Sequence, residues 1–505
     1  MQSLCYAAGV SVPSGGFVSS AAEAVSTGPG RSADVDGRGR LPWAALLLAA
    51  VVLLPFLHKA YTIDDPVFVH EARSLLADPL HPTAFELVWS SERRLRASEF
   101  LPGGPVAAYL LVPLALAGGR ECAGHLLMLV YFGIAIAATA ALARRLGLSR
   151  WTQQGAALLT ASSPAALGMA GTVMPDIPAM MFAVLGMERL VAWMETRRRW
   201  AGIAAAVFLA LAALTRIHLL ILLAVAGYYA ARRSWVLRRQ WGNVAPVLLA
   251  GALVLLVSAL TRDPDARGGS AVSAVGHQLG LDFTRRHVVA LFIAYLTTTP
   301  LVAALLTLRR LEPSRLLWAW LLVPLPLIAY VQVAPKYLLP ALPAVAILAA
   351  YGLDRLASRN RVLGLLTAAG TVLGLLILMA DARMAGTARA AAAELIRPRV
   401  RQGERVWFAG HWGFHWYAEQ AGALPLSVDP PFPTPGDVVV ASTVDRPVGL
   451  LAVLPRTLIE NWGSTAPAGQ VMSAHAGFYS DLWGLLPWAW ERPSAPPFQV
   501  WRVTR

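Results

Sequence analysis

Long apolar runs separated by short arginine clusters dominate the chain. The runs lie at 41–58, 122–143, 152–171, 178–195, 200–215, 218–231, 243–261, 288–307, 315–333, 337–353 and 361–379. A helix needs roughly 20 apolar residues to cross a bilayer, so the pattern predicts about eleven transmembrane helices. A further apolar stretch, 101–118, is interrupted early by Pro102, Gly103, Gly104 and Pro105.

That interrupted stretch decides the topology. Short arginine-rich loops stay on the cytoplasmic side. They comprise Arg31, Arg38 and Arg40; Arg144, Arg145 and Arg150; Arg197, Arg198 and Arg199; Arg232, Arg233, Arg238 and Arg239; Arg309, Arg310 and Arg315; and Arg355, Arg359 and Arg361. All can share one side only if 101–118 does not cross. It is expected to be a re-entrant or juxtamembrane helix, since broken helices are tolerated where they line a cavity. Residues 1–40, rich in Gly, Ser and Ala, are then a disordered cytoplasmic tail. They lack a basic start followed directly by an apolar core, so no cleaved signal peptide is expected and the first span is a retained anchor. The domain 41–379 forms the membrane bundle, with the loop 59–121 outside. Residues 380–505 form an extracytoplasmic soluble domain. Within it Arg405–Gly410 and Val438–Ala441 predict strands and His411–Gly422 a helix, which makes a small α/β module.

Composition strengthens the membrane reading. The 505 residues are 56% hydrophobic and 14% charged, against about 25% charged for soluble proteins. The net charge of +14 does not imply nucleic-acid binding, because the basic residues flank apolar spans. Cys5 and Cys122 offer neither a disulfide framework nor metal-ligand company.

Four polar motifs interrupt the apolar pattern. Tyr61-Thr-Ile-Asp64-Asp65-Pro66-Val-Phe-Val-His70-Glu71 follows the first span. Paired carboxylates repel, and become useful when a cation or an acceptor hydroxyl sits between them. Asp65 before Pro66 also suits a helix start, so capping is the plain alternative. Asp65, His70 and Glu71 are candidate metal ligands, or line the same cavity, or face solvent. Thr172-Val-Met-Pro175-Asp176-Ile-Pro178 places an acid at a helix mouth, as a cap or facing protein or water. Leu214-Thr215-Arg216-Ile217-His218 sets a cation at the top of a helical hairpin, for a phosphate or for ordinary headgroups. Pro335-Lys336-Tyr337-Leu-Leu-Pro340 carries one of only two lysines, on a side where positive charge is otherwise avoided. Its partner is expected to be a phosphate or an acid such as Asp64. Arg285, Arg286 and His287, with Arg93, Arg94 and Arg96, add positive charge on that face. Acids and cations from distant segments thus converge at one membrane surface. A lipid-linked phosphosugar needs that combination.

Taken together, these motifs resemble the GT-C glycosyltransferases, in particular the family 39-like branch of protein O-mannosyltransferases and aminoarabinose transferases. The resemblance rests on Asp64-Asp65, the Pro-rich stretch 102–105, Ala143-Arg144-Arg145-Leu146-Gly147, Pro175-Asp176-Ile177-Pro178, Ala213-Leu214-Thr215-Arg216 and Pro335-Lys336-Tyr337-Leu338-Leu339-Pro340. It covers roughly 40–355. It implies a bacterial inner or plasma membrane enzyme of the cell envelope. The enzyme would move a sugar, hexosyl or pentosyl, with inversion from a polyprenyl-phosphate donor to a glycan, lipid or protein hydroxyl. Asp64 or Asp65 would be the base. Asp176, Arg216, Lys336, Tyr337, Arg285 and Arg286 would bind substrate, and a divalent cation assists in some relatives. Two departures stand out: Glu99 and Phe100 precede Leu101-Pro102 where relatives often have Lys or His, and Arg216 replaces a common lysine. A transporter or flippase of lipid-linked glycans is the competing class. The absence of an internal repeat in the sequence tells against it. A scaffold subunit whose external domain binds a partner is the third.

Overall fold

The computed structural model describes residues 41–89, 92–101, 104–236, 241–265, 285–298, 315–329, 332–445 and 449–504. The 1–40 tail, Pro102 and Gly103, Arg238 and Arg239, Arg309 and Arg310, and most of the 262–287 loop lie outside the described residues. Residues 41–505 make one compact unit.

Among the described residues, five helices are long and apolar enough to cross a membrane: Glu121–Arg145 (α1), Asp176–Thr196 (α2), Trp241–Leu260, Pro335–Leu353 and Arg359–Arg401. At about 1.5 Å per residue, the 21 residues of α2 reach about 30 Å, the thickness of a hydrocarbon core. Shorter apolar helices are Trp43–Phe56, Arg199–Thr215 (α3), Arg286–Thr298 and Leu316–Leu327. The chain is an α-helical polytopic integral membrane protein. Other expected spans are interrupted. The 152–171 span is two helices, Arg150–Ala161 and Pro164–Ala170, because Pro164 lacks the N–H that would continue the ladder. Among the described residues of 315–333, the helix Arg315–Trp320 is followed by a turn and a 3₁₀ segment at Leu325–Ala329. The 101–118 stretch forms two five-residue helices, Val106–Leu110 and Val112–Leu116, each far too short to cross. Gly104 packs against the end of α3, where a Cβ would come within 1.8 Å of the Leu214 carbonyl oxygen.

Small residues set the bundle's packing. Van der Waals fit drives helix association in lipid, which favours close backbones. At Gly186 of α2, a Cβ would approach within 2.9 Å of the Leu209 side chain of α3. By contrast, α1, Trp241–Leu260 and the last long helix expose Val130, Leu248, Leu255, Leu365 and Val372. Lipid is the natural solvent for such a surface.

The helices have two differently furnished ends. At one end Arg145 pairs with Glu188 at 2.7 Å and Glu195 at 3.2 Å, and Thr152 Oγ1 donates to Asp354 at 3.0 Å. At the other end lie Glu121, Asp176, Arg216 and Lys336. The long helix Arg359–Ala391 (α4) connects the two ends and continues through a π turn at Ala392–Ile396 to Arg397–Arg401.

Beyond it lies a five-stranded sheet. Its strands are Val406–Ala409 (β1), Leu424–Pro425 (β2), Val438–Ser442 (β3), Arg456–Trp462 (β4) and Phe498–Val503 (β5), in the order β2-β1-β3-β5-β4. β1 is parallel to β2 and β3; β5 is antiparallel to β3 and β4. The helix Trp412–Gln420 (α5) links β1 to β2. The chain then passes to β3 on the opposite side of β1. That reversal leaves a crevice at the carboxyl ends of β1 and β3, the usual place for a ligand in such sheets.

Candidate active site

The segment after the first helix is held from three directions. Lys59 Nζ lies 2.6 Å from Asp381 Oδ2 of α4, and both side chains are buried. Thr62 Oγ1 donates to Asp381 Oδ1 at 2.9 Å. The Tyr61 N–H donates to the Tyr417 hydroxyl at 2.8 Å, and the Tyr61 hydroxyl donates to the Gly119 carbonyl at 2.9 Å. Ile63 then adopts φ +42°, a left-handed conformation rare for a β-branched residue. Such strain costs about 1–3 kcal/mol and persists only where the surroundings enforce it. The turn delivers Asp64 to the start of the helix Asp65–Ser74.

The two adjacent acids have different surroundings. Asp65 is wholly buried. Its Oδ2 accepts the Thr62 N–H and its Oδ1 accepts the Val173 N–H, both at 2.9 Å. Burial raises its pKa to about 7, against the pull of Lys59 and the two backbone donors. Asp64 is about one-third exposed at its side chain and sits 3.6 Å from Lys336 Nζ.

Around Asp64 the remaining charges gather from distant segments. Arg216 Nη2 donates to Asp176 Oδ2 at 2.7 Å. Lys336 Nζ lies 5.5 Å from the Tyr337 ring centre and 6.0 Å from that of Tyr479, within cation–π range. The Arg216 guanidinium lies 5.9 Å from the Tyr337 ring. His218 meets the same ring edge-on at 6.0 Å. Glu71 is buried; burial raises its pKa to about 8, with Arg216 as its favourable charge. A cavity of about 410 Å³ is lined by Asp64, Arg216, His218, Lys336, Tyr337 and Tyr479, among others.

Not every candidate lies there. Arg286 is exposed and donates to the Asp481 carbonyl; it is not part of the cavity wall. Arg285 opens the same helix, and its side chain lies outside the described residues. Asp65, His70 and Glu71 do not share a centre. Asp65 is engaged by backbone, Glu71 senses Arg216, and His70 lies 3.4 Å from Glu419. A divalent cation does not fit beside Asp64: Lys336 already stands next to that carboxylate, and Asp176 is taken by Arg216. The neighbourhood suits an anion.

A second cavity of about 550 Å³ opens at the carboxyl ends of β1 and β3, with Arg383, His411, Asp445, Glu491 and Arg492 in its wall. Ile63, Trp412 and Trp483 border both cavities. Trp412 has φ +57°, and its ring lies 5.3 Å from that of Trp483. Asp445 Oδ1, Gln470 Nε2 and Glu491 Oε1 are buried without hydrogen-bond partners among the described residues. Sequence reasoning missed Asp381, Tyr479 and the two tryptophans. The only signal was an acid, Asp381, just beyond an apolar span.

Comparison with known proteins agrees with this architecture. Residues 127–260 match the family described as dolichyl-phosphate-mannose-protein mannosyltransferase. None of the curated proteins matches the chain. Among solved structures, the chain is similar to ArnT from Cupriavidus metallidurans bound to undecaprenyl phosphate, with TM-score 0.55 and 15% identity, covering 83% of this chain and 95% of that one. The same protein in its apo state gives TM-score 0.54 at 15% identity over the same shares, 83% and 95%. The Archaeoglobus fulgidus oligosaccharyltransferase in complex with Zn and sulfate gives TM-score 0.51 and 11% identity, covering 80% of this chain and 68% of that one. The chain therefore has the fold of the GT-C membrane glycosyltransferases.

Proposed function

We propose that this protein transfers a sugar from a polyprenyl-phosphate donor to an acceptor hydroxyl, with inversion and with Asp64 as the base. The observation that carries the reading is the partly exposed Asp64 carboxylate beside Lys336 in a cavity that also holds Arg216. Asp65 is a poorer base because backbone donors occupy both its oxygens.

In this reading the donor phosphate draws Lys336 away from Asp64 and is held by Lys336 and Arg216. Asp64, released from its cation, accepts the proton of the acceptor hydroxyl. The acceptor oxygen attacks the anomeric carbon from the face opposite the phosphate. The bond from that carbon to the phosphate oxygen breaks, and polyprenyl phosphate leaves with its new charge met by the two cations. The second cavity beyond Trp412 and Trp483 is the natural approach for the acceptor, since its unpartnered polar atoms suit hydroxyls. In this reading the face holding Asp64 and the C-terminal sheet lies outside the cytoplasm, which the arginine-rich opposite end supports. A transporter is disfavoured because these charges stand at helix ends, whereas transporters place their sites near the bilayer midplane. Purified protein in lipid vesicles is given synthetic polyprenyl-phosphate hexoses and pentoses plus a total envelope extract. Release of polyprenyl phosphate by the wild type and not by Asp64→Asn is the expected result. Equal release by the two proteins would sink the reading.

A further inference from the structure

His70, His415 and Glu419 form a cluster that the transfer chemistry does not use. His70 Nε2 lies 3.4 Å and His415 Nδ1 3.6 Å from Glu419 Oε2, and the three donor atoms all fall within 4.8 Å of one another. Metal–ligand bonds of about 2.0–2.1 Å at tetrahedral angles separate neighbouring donors by roughly 3.3 Å. Two of the three edges already have nearly that length.

The protonation pattern is equally specific. His415 Nε2 donates to the Val88 carbonyl at 2.9 Å, which leaves the lone pair on Nδ1. A backbone carbonyl holding the far nitrogen is the usual support of a metal-binding histidine. Among the described residues, His415 Nδ1 and His70 Nε2 are both buried and meet no strict hydrogen-bond geometry. Both imidazole nitrogens thus face one carboxylate oxygen, as the ligands of a shared cation would. Glu419 is about one-third exposed at its side chain, so an ion and a water ligand can reach it.

We propose that this cluster is a zinc-class divalent metal site, with His70, His415 and Glu419 as protein ligands and water completing the shell. Two nitrogens and one oxygen suit zinc. His415 and Glu419 stand one turn apart on α5, whereas His70 belongs to the helix that begins beside Asp64. The ion therefore clamps the Asp64 helix to the C-terminal sheet region. It is a positioning element and stands apart from the transfer reading.

Full-length protein purified in detergent on a histidine-free tag is stripped with chelator, dialysed, and titrated with Zn²⁺ alone and Co²⁺ alone. One ion per chain is expected, with a visible Co²⁺ band of tetrahedral intensity and a higher Tm on metal addition. His70→Ala and Glu419→Gln, both at partly exposed side chains, are expected to weaken binding at least 10-fold and to abolish the Tm response. Asp64→Asn is expected to bind normally. Substoichiometric binding, or full affinity in both His70→Ala and Glu419→Gln, overturns the proposal. So does loss of metal in Asp64→Asn with retention in His70→Ala. Failure of sugar transfer alone leaves these readouts untouched, so the two readings are tested separately.

Discussion

Replacing each of the two neighbouring acids by its amide separates a chemical role from a structural one. Asp64→Asn removes a carboxylate that is about one-third exposed and, among the described residues, accepts no backbone hydrogen bond at the helix start. Its ion pair with Lys336 is long, at 3.6 Å, and open to solvent on the Asp64 side only; the amide oxygen can still accept from the buried Lys336, so stability should fall by about 1–3 kcal/mol. Loss of a general base should lower the transfer rate about 10²–10⁴-fold. Asp65→Asn acts on the fold and not on the transfer step. Its two oxygens accept the Thr62 and Val173 N–H groups, and an amide can accept only one of them. The other donor is left buried and unpaired, at a cost of about 1–3 kcal/mol. Relief of the buried charge, whose pKa burial raises to about 7, offsets part of that. Asp65→Asn should therefore melt earlier yet keep measurable turnover at low temperature. Thermal unfolding in detergent and polyprenyl-phosphate release at 10 °C and 30 °C give the two readouts. An Asp65→Asn protein as stable as wild type but inactive, beside an active Asp64→Asn protein, would reverse the assignment.

Three further outcomes follow from the geometry. Arg216→Ala should cost about 3–5 kcal/mol because it strands the buried Asp176 carboxylate; pairing it with Asp176→Asn should recover much of the loss in a thermal double-mutant cycle, and strict additivity would contradict the pairing. Gly413→Ala would bring a Cβ within 2.0 Å of the Tyr61 carbonyl oxygen, a backbone atom that cannot swing aside; overpacking of about 1–3 kcal/mol and lower activity are expected, checked by Tm and turnover. Burial raises Glu71 to about 8, so the folded state holds a proton that the unfolded chain releases near pH 4. That contribution is complete below pH 4 and is lost as pH rises through 8. Glu71→Gln should accordingly narrow the fall in Tm between pH 6 and pH 9.

How much of this was legible in the sequence depends on how far each residue's meaning is local. A charge at the end of an apolar span is a local feature. Asp64, Asp176, Arg216 and Lys336 each stand at such an end; Asp64, Arg216 and Lys336 line one cavity, and Asp176 pairs with Arg216. The pairing of Lys336 with an acid was legible for the same reason, since a lysine on the wrong side of the arginine pattern needs a partner. The broken 101–118 stretch was legible because proline and glycine act on their own backbone. Helix interruptions at Pro164 and in 315–333 were harder, since hydropathy alone does not register a break in the hydrogen-bond ladder. The two acids of the first motif could not be told apart by type. What distinguishes them is the Val173 N–H, which reaches Asp65 from a loop more than a hundred residues away.

The same reasoning explains why the C-terminal contribution stayed hidden. Along the chain, His415 and Glu419 read as ordinary residues one helical turn apart, and His70 as a lone histidine after an acidic pair. Their meaning arises only when α5 docks on the Asp64 helix, and that docking depends on contacts between distant segments. The Tyr61 N–H meets the Tyr417 hydroxyl, and Gly413 lets the start of α5 approach the Tyr61 carbonyl. Trp412 and Trp483 then divide the space beside Ile63 into two cavities. The strained Ile63 turn is therefore held from both sides: Lys59 and Thr62 fix it to Asp381 of the bundle, and Tyr61 fixes it to the sheet region. Asp381 itself lines neither cavity, and Asp381→Asn weakens the bundle side of that clamp. It leaves Lys59 buried without its counter-charge, at a cost of about 3–5 kcal/mol. If the turn exists to present Asp64, this variant should lose kcat as well as stability, whereas a purely architectural Asp381 would lower Tm and leave the kcat of the folded fraction intact.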